Sequence, residues 1–249
     1  MEKVKIFTIT HKMYVLPSDK LYCPIQVGNQ NDIGILRDNT LDNISSKNPY
    51  YSELTGLYWV WKNDNNYDFI GLDHYRRHFC VKKINKKKNI LKYDDIEKLL
   101  LDNQIILPKK RHYYIENVYG QYIHAHHKQD LDLTRDIISK DYPEYLPYFD
   151  KHMKETTLHL YNMFIMPKAI FNDYCTWLFD ILFKLEKTLD ISNYSLNDQR
   201  VFGFVAERLL DVYISKNNIK YIELPYVFME KQNWLSKGYN FVKRKITRK

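Results

Sequence analysis

Short apolar runs alternate with longer stretches in which apolar residues recur every three or four positions, and the alternation persists to about residue 225. The runs VKIFTIT (4–10), YDFIGLDH (67–74), QIILP (104–108), YNMFIMP (161–167) and KYIELP (220–225) have the length and composition of buried strands. Helical spacing is clearest in three places. Asn48 and Pro49 read as an N-cap followed by a first-turn proline, opening a helix with Tyr51, Leu54, Tyr58 and Trp61 on one stripe. A second helix, about 171–185, repeats apolar residues at Phe171, Tyr174, Cys175, Leu178, Leu182 and Leu185, a core-packing pattern. The third, about 198–214, sets Val201, Val205 and Leu209 on one face and Arg200, Gly203, Glu207 and Asp211 on another, with the glycine leaving room for a close approach. Alternating β and α signals without a repeat or a linker predict one α/β domain over 1–230, followed by a tail over 231–249.

The 249 residues suffice for one well-buried domain, and 45% hydrophobic with 27% charged residues is ordinary globular composition. No stretch approaches the ~18 apolar residues of a spanning helix, and MEKVKIFTIT reads as a strand rather than a signal peptide, so a cytoplasmic protein is expected. Cys23, Cys80 and Cys175 form no metal-spaced pair. The net charge of +8 is concentrated in KKINKKK (82–88) and in the tail, which carries seven Lys or Arg and no acid. With Trp234, Tyr239 and Phe241 interleaved, the tail is suited to an anionic membrane surface at the inner face of the cell membrane; a solvated terminus is the plainer reading. A nucleic-acid-binding role is a further reading, but the charges are segregated into a loop and a terminus and no nucleic-acid module is legible, so no nucleic-acid partner is expected.

The segment YDFIGLDHYRRHF concentrates chemistry. A buried strand ends in Asp73, His74, Arg76, Arg77 and His78. Arginine forks grip phosphate oxygens through paired charge-assisted hydrogen bonds, which makes a diphosphate leaving group a natural ligand; an ion-pair cluster at a strand end is the alternative. His124, His126 and His127 lack the accompanying carboxylate spacing of a catalytic zinc site.

In this setting the chain resembles the bacterial capsular and exopolysaccharide glycosyltransferases that carry a GLxHYRRxF signature. The resemblance rests on THK (10–12), PIQVG (24–28), DNIS (42–45), KNPYYSELTGLYWVWKN (47–63), IGLDHYRRHF (70–79), YNMFIMPK (161–168) and QRVFGFVAERLL (199–210), in that order along nearly the whole chain. It implies a single-domain type A glycosyltransferase fold, Rossmann-like with a mixed central sheet. It also implies a UDP-sugar donor, with galactose or galactofuranose as the sugar, and a polyprenyl-diphosphate-linked glycan acceptor. On the type A layout, the expected donor-binding residues are Thr10, His11, Lys12, Asp42, Asn43, Ile44, Asn48, Glu53, Arg76 and Arg77, with Glu53 facing either a sugar hydroxyl or water. The expected catalytic residues are Asp73, His74, Arg76, Asp198 and Glu207, with Asp198 equally readable as an N-cap. His159, Asn162, Gln199 and Arg208 are expected on the acceptor side. DHYRR stands where most type A enzymes carry an Asp-any-Asp metal motif. No metal cofactor is therefore expected, Arg76 and Arg77 replacing it, and Asp73 is the one carboxylate placed to take Mn²⁺ or Mg²⁺.

Overall fold

The computed structural model describes residues 3–28, 31–84, 86–96, 98–100 and 105–230. The predicted tail, 231–249, lies outside the described residues. Strands are β1 (Val4–Thr10), β2 (Tyr22–Gln26), β3 (Leu36–Arg37), β4 (Phe69–His74), β5 (Arg77–Phe79), β6 (Ile105–Pro108), β7 (Arg111–His112), β8 (Thr157–Leu158), β9 (Phe164–Pro167), β10 (Tyr221–Leu224) and β11 (Tyr226–Phe228). Helices are α1 (Asn48–Tyr51), α2 (Leu54–Asn63), α3 (Tyr93–Ile96), α4 (Val118–Ala125), α5 (Lys128–Asp141), α6 (Leu146–Lys154), α7 (Lys168–Thr188) and α8 (Val201–Lys216).

The main sheet runs β10-β6-β9-β4-β1-β2-β3, with β5 paired to β4 and β11 to β5. The β4-β1-β2-β3 half is parallel, and β9 lies antiparallel between β4 and β6. The sheet is thus mixed, as expected. β7 and β8 form a separate antiparallel ribbon.

Strand periodicity sorts residues onto two cores. Ile70 and Leu72 join a large core with α2, α5, α6, α7 and α8, whereas Phe69 joins a smaller one on the opposite face with Ile96 of α3. Gly71 faces the smaller core at a crowded crossing: an added Cβ would sit 2.8 Å from Ile6 Cγ1 and 3.1 Å from Ile165 Cγ1. Along α7 the predicted apolar stripe is fully buried, and each such Leu or Phe contributes roughly 1.5–3 kcal/mol of burial free energy.

Three sequence-derived boundaries differ from the structure, each at the future site. The helix opening at Asn48 and Pro49 breaks after one turn, because Ser52 adopts φ 52°, ψ −125°, and α2 restarts with Glu53 as its N-cap. The strand drawn from Tyr161 begins only at Phe164, since Tyr161 and Asn162 have left-handed φ values of 78° and 50°. Asp198 opens a 3-10 turn (Asp198–Arg200) and α8 proper starts at Val201. α4, α5 and α6 are additional to the three helices read from the sequence; α5 buries Asp130, Leu131, Thr134 and Ile138, one face of the helix.

Candidate active site

A cleft of about 500 Å³ opens where the carboxyl ends of β1 and β4 meet the Ser52 break and the first turns of α8. Carboxyl ends of parallel strands are where open α/β sheets leave room for ligands, because the chain turns away in opposite directions on either side.

Three guanidinium groups converge there. Arg76, in the turn after β4, donates from Nη1 to Glu230 Oε2 at 3.3 Å and remains 43% exposed. Arg77, on β5, lies over the Tyr161 ring at 4.2 Å and the Phe228 ring at 5.4 Å, and its buried Nε has no hydrogen-bond partner. The aromatic faces attract this guanidinium through cation–π contact and restrict where it can sit. Arg200 donates from Nε to Ser52 Oγ at 2.9 Å and passes over Phe204. Two histidines share the cleft in neutral form. Burial, then the positive charges of Lys12, Arg76 and Arg200, lower the His11 pKa; burial and Arg77 lower that of His74 to about 4. A cleft with several fixed cations attracts a multiply charged anion.

The carboxylates of the cleft are Glu53 and Glu207, and one strained turn fixes both. The neutral His74 donates from Nε2 to the Tyr161 carbonyl at 2.5 Å, while the Tyr161 amide donates to Glu207 Oε1 at 2.8 Å. Asn162 Nδ2 donates to Glu53 Oε1 at 2.7 Å and to the Gly203 carbonyl at 3.2 Å. Two consecutive left-handed residues let this turn reach α2 and α8 at once, at a backbone cost of order 1–3 kcal/mol each. Arg208 Nη1 holds the other Glu207 oxygen at 2.8 Å. Burial raises the Glu207 pKa, Arg208 opposes that and the nearby Glu53 charge reinforces it. A fixed carboxylate with a raised pKa is suited to accept a proton near neutral pH.

Of the sequence-predicted residues, Thr10, His11, Asn48, Glu53, His74, Arg76, Arg77 and Glu207 line the cleft. Thr10 Oγ1 donates to the Lys12 carbonyl at 2.6 Å, closing the β1 end, and Lys12 itself stands outside the lining, 3.9 Å from Glu230. Asp73 is a correction. Strand alternation turns it to the opposite face from His74, where its Oδ2 meets His78 Nδ1 at 2.7 Å with both side chains 0% exposed. His159 is also misread as an acceptor contact: fully buried, its ring bridges Asp211 at 2.5 Å and Glu223 at 3.1 Å.

Asp198 accepts from Ser195 Oγ at 2.8 Å and pairs with His126 at 3.0 Å, away from the lining. Burial alone would raise its pKa, but the His126 and Ser195 hydrogen bonds outweigh that and lower it. Asp42, Asn43 and Ile44 belong to a turn tied to the far end of α2, where Tyr58 donates to Asp42 Oδ1 and Asn63 to the Asp42 carbonyl. Gln199 bonds the Tyr194 carbonyl, and Asn162 and Arg208 act behind Glu53 and Glu207 rather than in the lining. Arg200, Ser52, Tyr161 and Phe204 were missed. Arg200 sat in plain view beside Gln199, but nothing in the chain announces the Ser52 break that brings it inward.

Among the described residues no group of three or more His, Cys, Asp or Glu is arranged to hold a metal ion. His126 and His127 both approach Asp198, at 3.0 and 3.7 Å, His127 also stacking on the Tyr194 ring, whereas His124 pairs with Glu116, so the three do not share one centre. No helix of the described residues is long and apolar enough to cross a membrane.

The fold matches the apo structure of WbbM, a bifunctional glycosyltransferase, with a TM-score of 0.84 and 34% identity over 92% of this chain and 46% of that one. The chain thus spans about half the length of that protein, and the fold is a glycosyltransferase α/β fold. A search of curated proteins finds no match. A family model covers residues 5–218, which include every cleft-lining residue, and the chain belongs to that family, the domain of unknown function DUF4422.

Proposed function

We propose that this chain is a glycosyltransferase that moves one sugar from a nucleoside diphosphate sugar to a hydroxyl group of a glycan acceptor. The observation that carries the reading is the convergence of Arg76, Arg77 and Arg200 on a cleft that also holds Glu53 and Glu207. When the bond between the sugar and the diphosphate breaks, negative charge accumulates on the departing phosphate oxygen. Fixed guanidinium groups stabilise that charge more than they stabilise the intact donor, which is the requirement for lowering the barrier. Glu207 accepts the proton of the attacking hydroxyl, its pKa raised by burial and its position set by Arg208 and the Tyr161 amide. Neutral His74 keeps that turn in place, and Thr10, His11 and Asn48 border the donor.

A divalent cation does not suit these donors. Asp73 faces the other side of the sheet, both cleft carboxylates already accept hydrogen bonds, and the surrounding charge is positive. Arg76, Arg77 and Arg200 take the role that a cation would play. The family resemblance supports, without fixing the sugar, UDP-galactose or UDP-galactofuranose as donor and a polyprenyl-diphosphate-linked capsular or exopolysaccharide glycan as acceptor. The reaction then takes place at the inner membrane face, with the basic tail on anionic lipid.

Calorimetric titration with UDP and GDP, with and without Mn²⁺, tests the reading. Metal-independent UDP binding is expected, and Arg76→Ala or Arg77→Ala should each weaken it at least tenfold, since a charge-assisted hydrogen bond is worth about 1.5–3 kcal/mol. Absence of nucleotide binding under all conditions overturns the transferase reading; binding without turnover leaves a transferase-like subunit.

A further inference from the structure

We infer that residues 109–115 form a folded contact for an anionic lipid bilayer, seated beside the cleft. This stretch, KKRHYYI, contains three cations and no acid. Its backbone is fixed: Lys109 N donates to the Leu224 carbonyl at 2.9 Å, β7 pairs with β8, and Tyr113 N donates to the Thr156 carbonyl at 2.7 Å. Tyr113 turns inward at 6% exposure, so its neighbour is sent out. Tyr114 is 92% exposed, more than any other large hydrophobic side chain among the described residues, and Ile115 follows at 52%.

An amphipathic ring and an aliphatic side chain held in water beside cations match the headgroup layer of a bilayer, where the ring settles at the boundary and the cations meet lipid phosphates. Two side chains are too few for a protein interface, which needs about 800 Å² from each partner. Glu116 accepts from His124 at 2.6 Å, and Glu155, engaged by His152 at 3.2 Å, offsets part of the Lys110 charge together with Asp211. Tyr113 is buried in the large core shared with α8, the helix that carries Glu207. A bilayer under this ribbon therefore meets the Glu207 side of the cleft, the side that receives the acceptor in the function proposed above. The lipid contact itself does not depend on that function.

The test uses the full chain and vesicles of phosphatidylcholine alone or mixed with phosphatidylglycerol. Lys109→Gln, Lys110→Gln and Arg111→Gln together should lower partitioning onto anionic vesicles by up to about a hundredfold, at about fivefold per basic residue. Lys140→Gln, Lys187→Gln and Lys216→Gln remove equal charge elsewhere and should lower it much less. In the Tyr114→Trp variant, the indole emission in excess of the four wild-type tryptophans, taken as the difference from the wild-type chain, should shift to the blue on vesicle addition and be quenched by nitroxide-labelled lipid. Equal losses in the two triple variants, an indole emission at this position unmoved by vesicles, or loss of heparin binding with vesicle binding intact would each overturn the inference. UDP titration of the same variants should be unchanged, which separates failure here from failure of the cleft reading.

Discussion

Replacing Asp73 with alanine separates a reacting carboxylate from a buried structural one. The wild-type carboxylate accepts a 2.7 Å hydrogen bond from His78 Nδ1, and both side chains are 0% exposed. Alanine leaves that ring nitrogen buried and unpaired, beside an Nε2 that already has no hydrogen-bond partner. A buried hydrogen bond lost with one partner stranded costs about 1–3 kcal/mol. For a domain of this size each kcal/mol lowers Tm by roughly 2–4 °C, so a fall of about 2–12 °C is expected. Asp73→Asn keeps one acceptor oxygen and should lose less. The assay is thermal unfolding by circular dichroism, with UDP affinity and sugar transfer measured well below the transition. Transfer per folded molecule should stay near the wild-type value. An unchanged Tm with abolished transfer, or transfer that requires Mn²⁺ in the wild type and vanishes in the variant, would refute the reasoning and return Asp73 to the reacting centre.

Glu207→Gln should lower turnover by about 10²-fold or more with UDP affinity little changed, as expected for a proton acceptor. Because burial raises the wild-type pKa, the acidic limb of the rate profile should lie above the ordinary carboxylate value and disappear in the variant. The His74 pKa of about 4 stands below the unfolded value of 6.5, so between these values the unfolded chain binds more protons and stability falls as pH drops. Acid titration followed by urea unfolding should show a loss on the order of 3 kcal/mol across that window, absent in His74→Asn. Gly71→Ala should cost about 1–3 kcal/mol in urea unfolding, because the added methyl meets Ile6 and Ile165.

Much of this molecule is legible along the chain. The strand and helix periods are local properties, so β1, β4, α7 and the α/β class follow from spacing alone. The arginine pair after β4 is likewise legible, since a buried strand that stops at two cations delivers them to the edge of the sheet, where an anion can reach them. The charges of α8 are legible as residues but not by their partners: Arg208 is 3% and Asp211 4% exposed, because α8 packs among other helices and each charge finds a partner there. No sequence period reports such satisfaction.

The amino-acid order determined which residues alternate, where the chain turns and where cations gather, because each depends on neighbours within a few positions. It could not determine which face of β4 borders the cleft, and so could not tell Asp73 from His74. Nor could it show that Ser52, Tyr161 and Asn162 leave regular geometry to bring Arg200, Glu53 and Glu207 together. Those contacts join residues 41 to 148 positions apart. They persist because the packed sheet and helices compensate the local backbone cost, and that compensation exists only once the whole fold has formed.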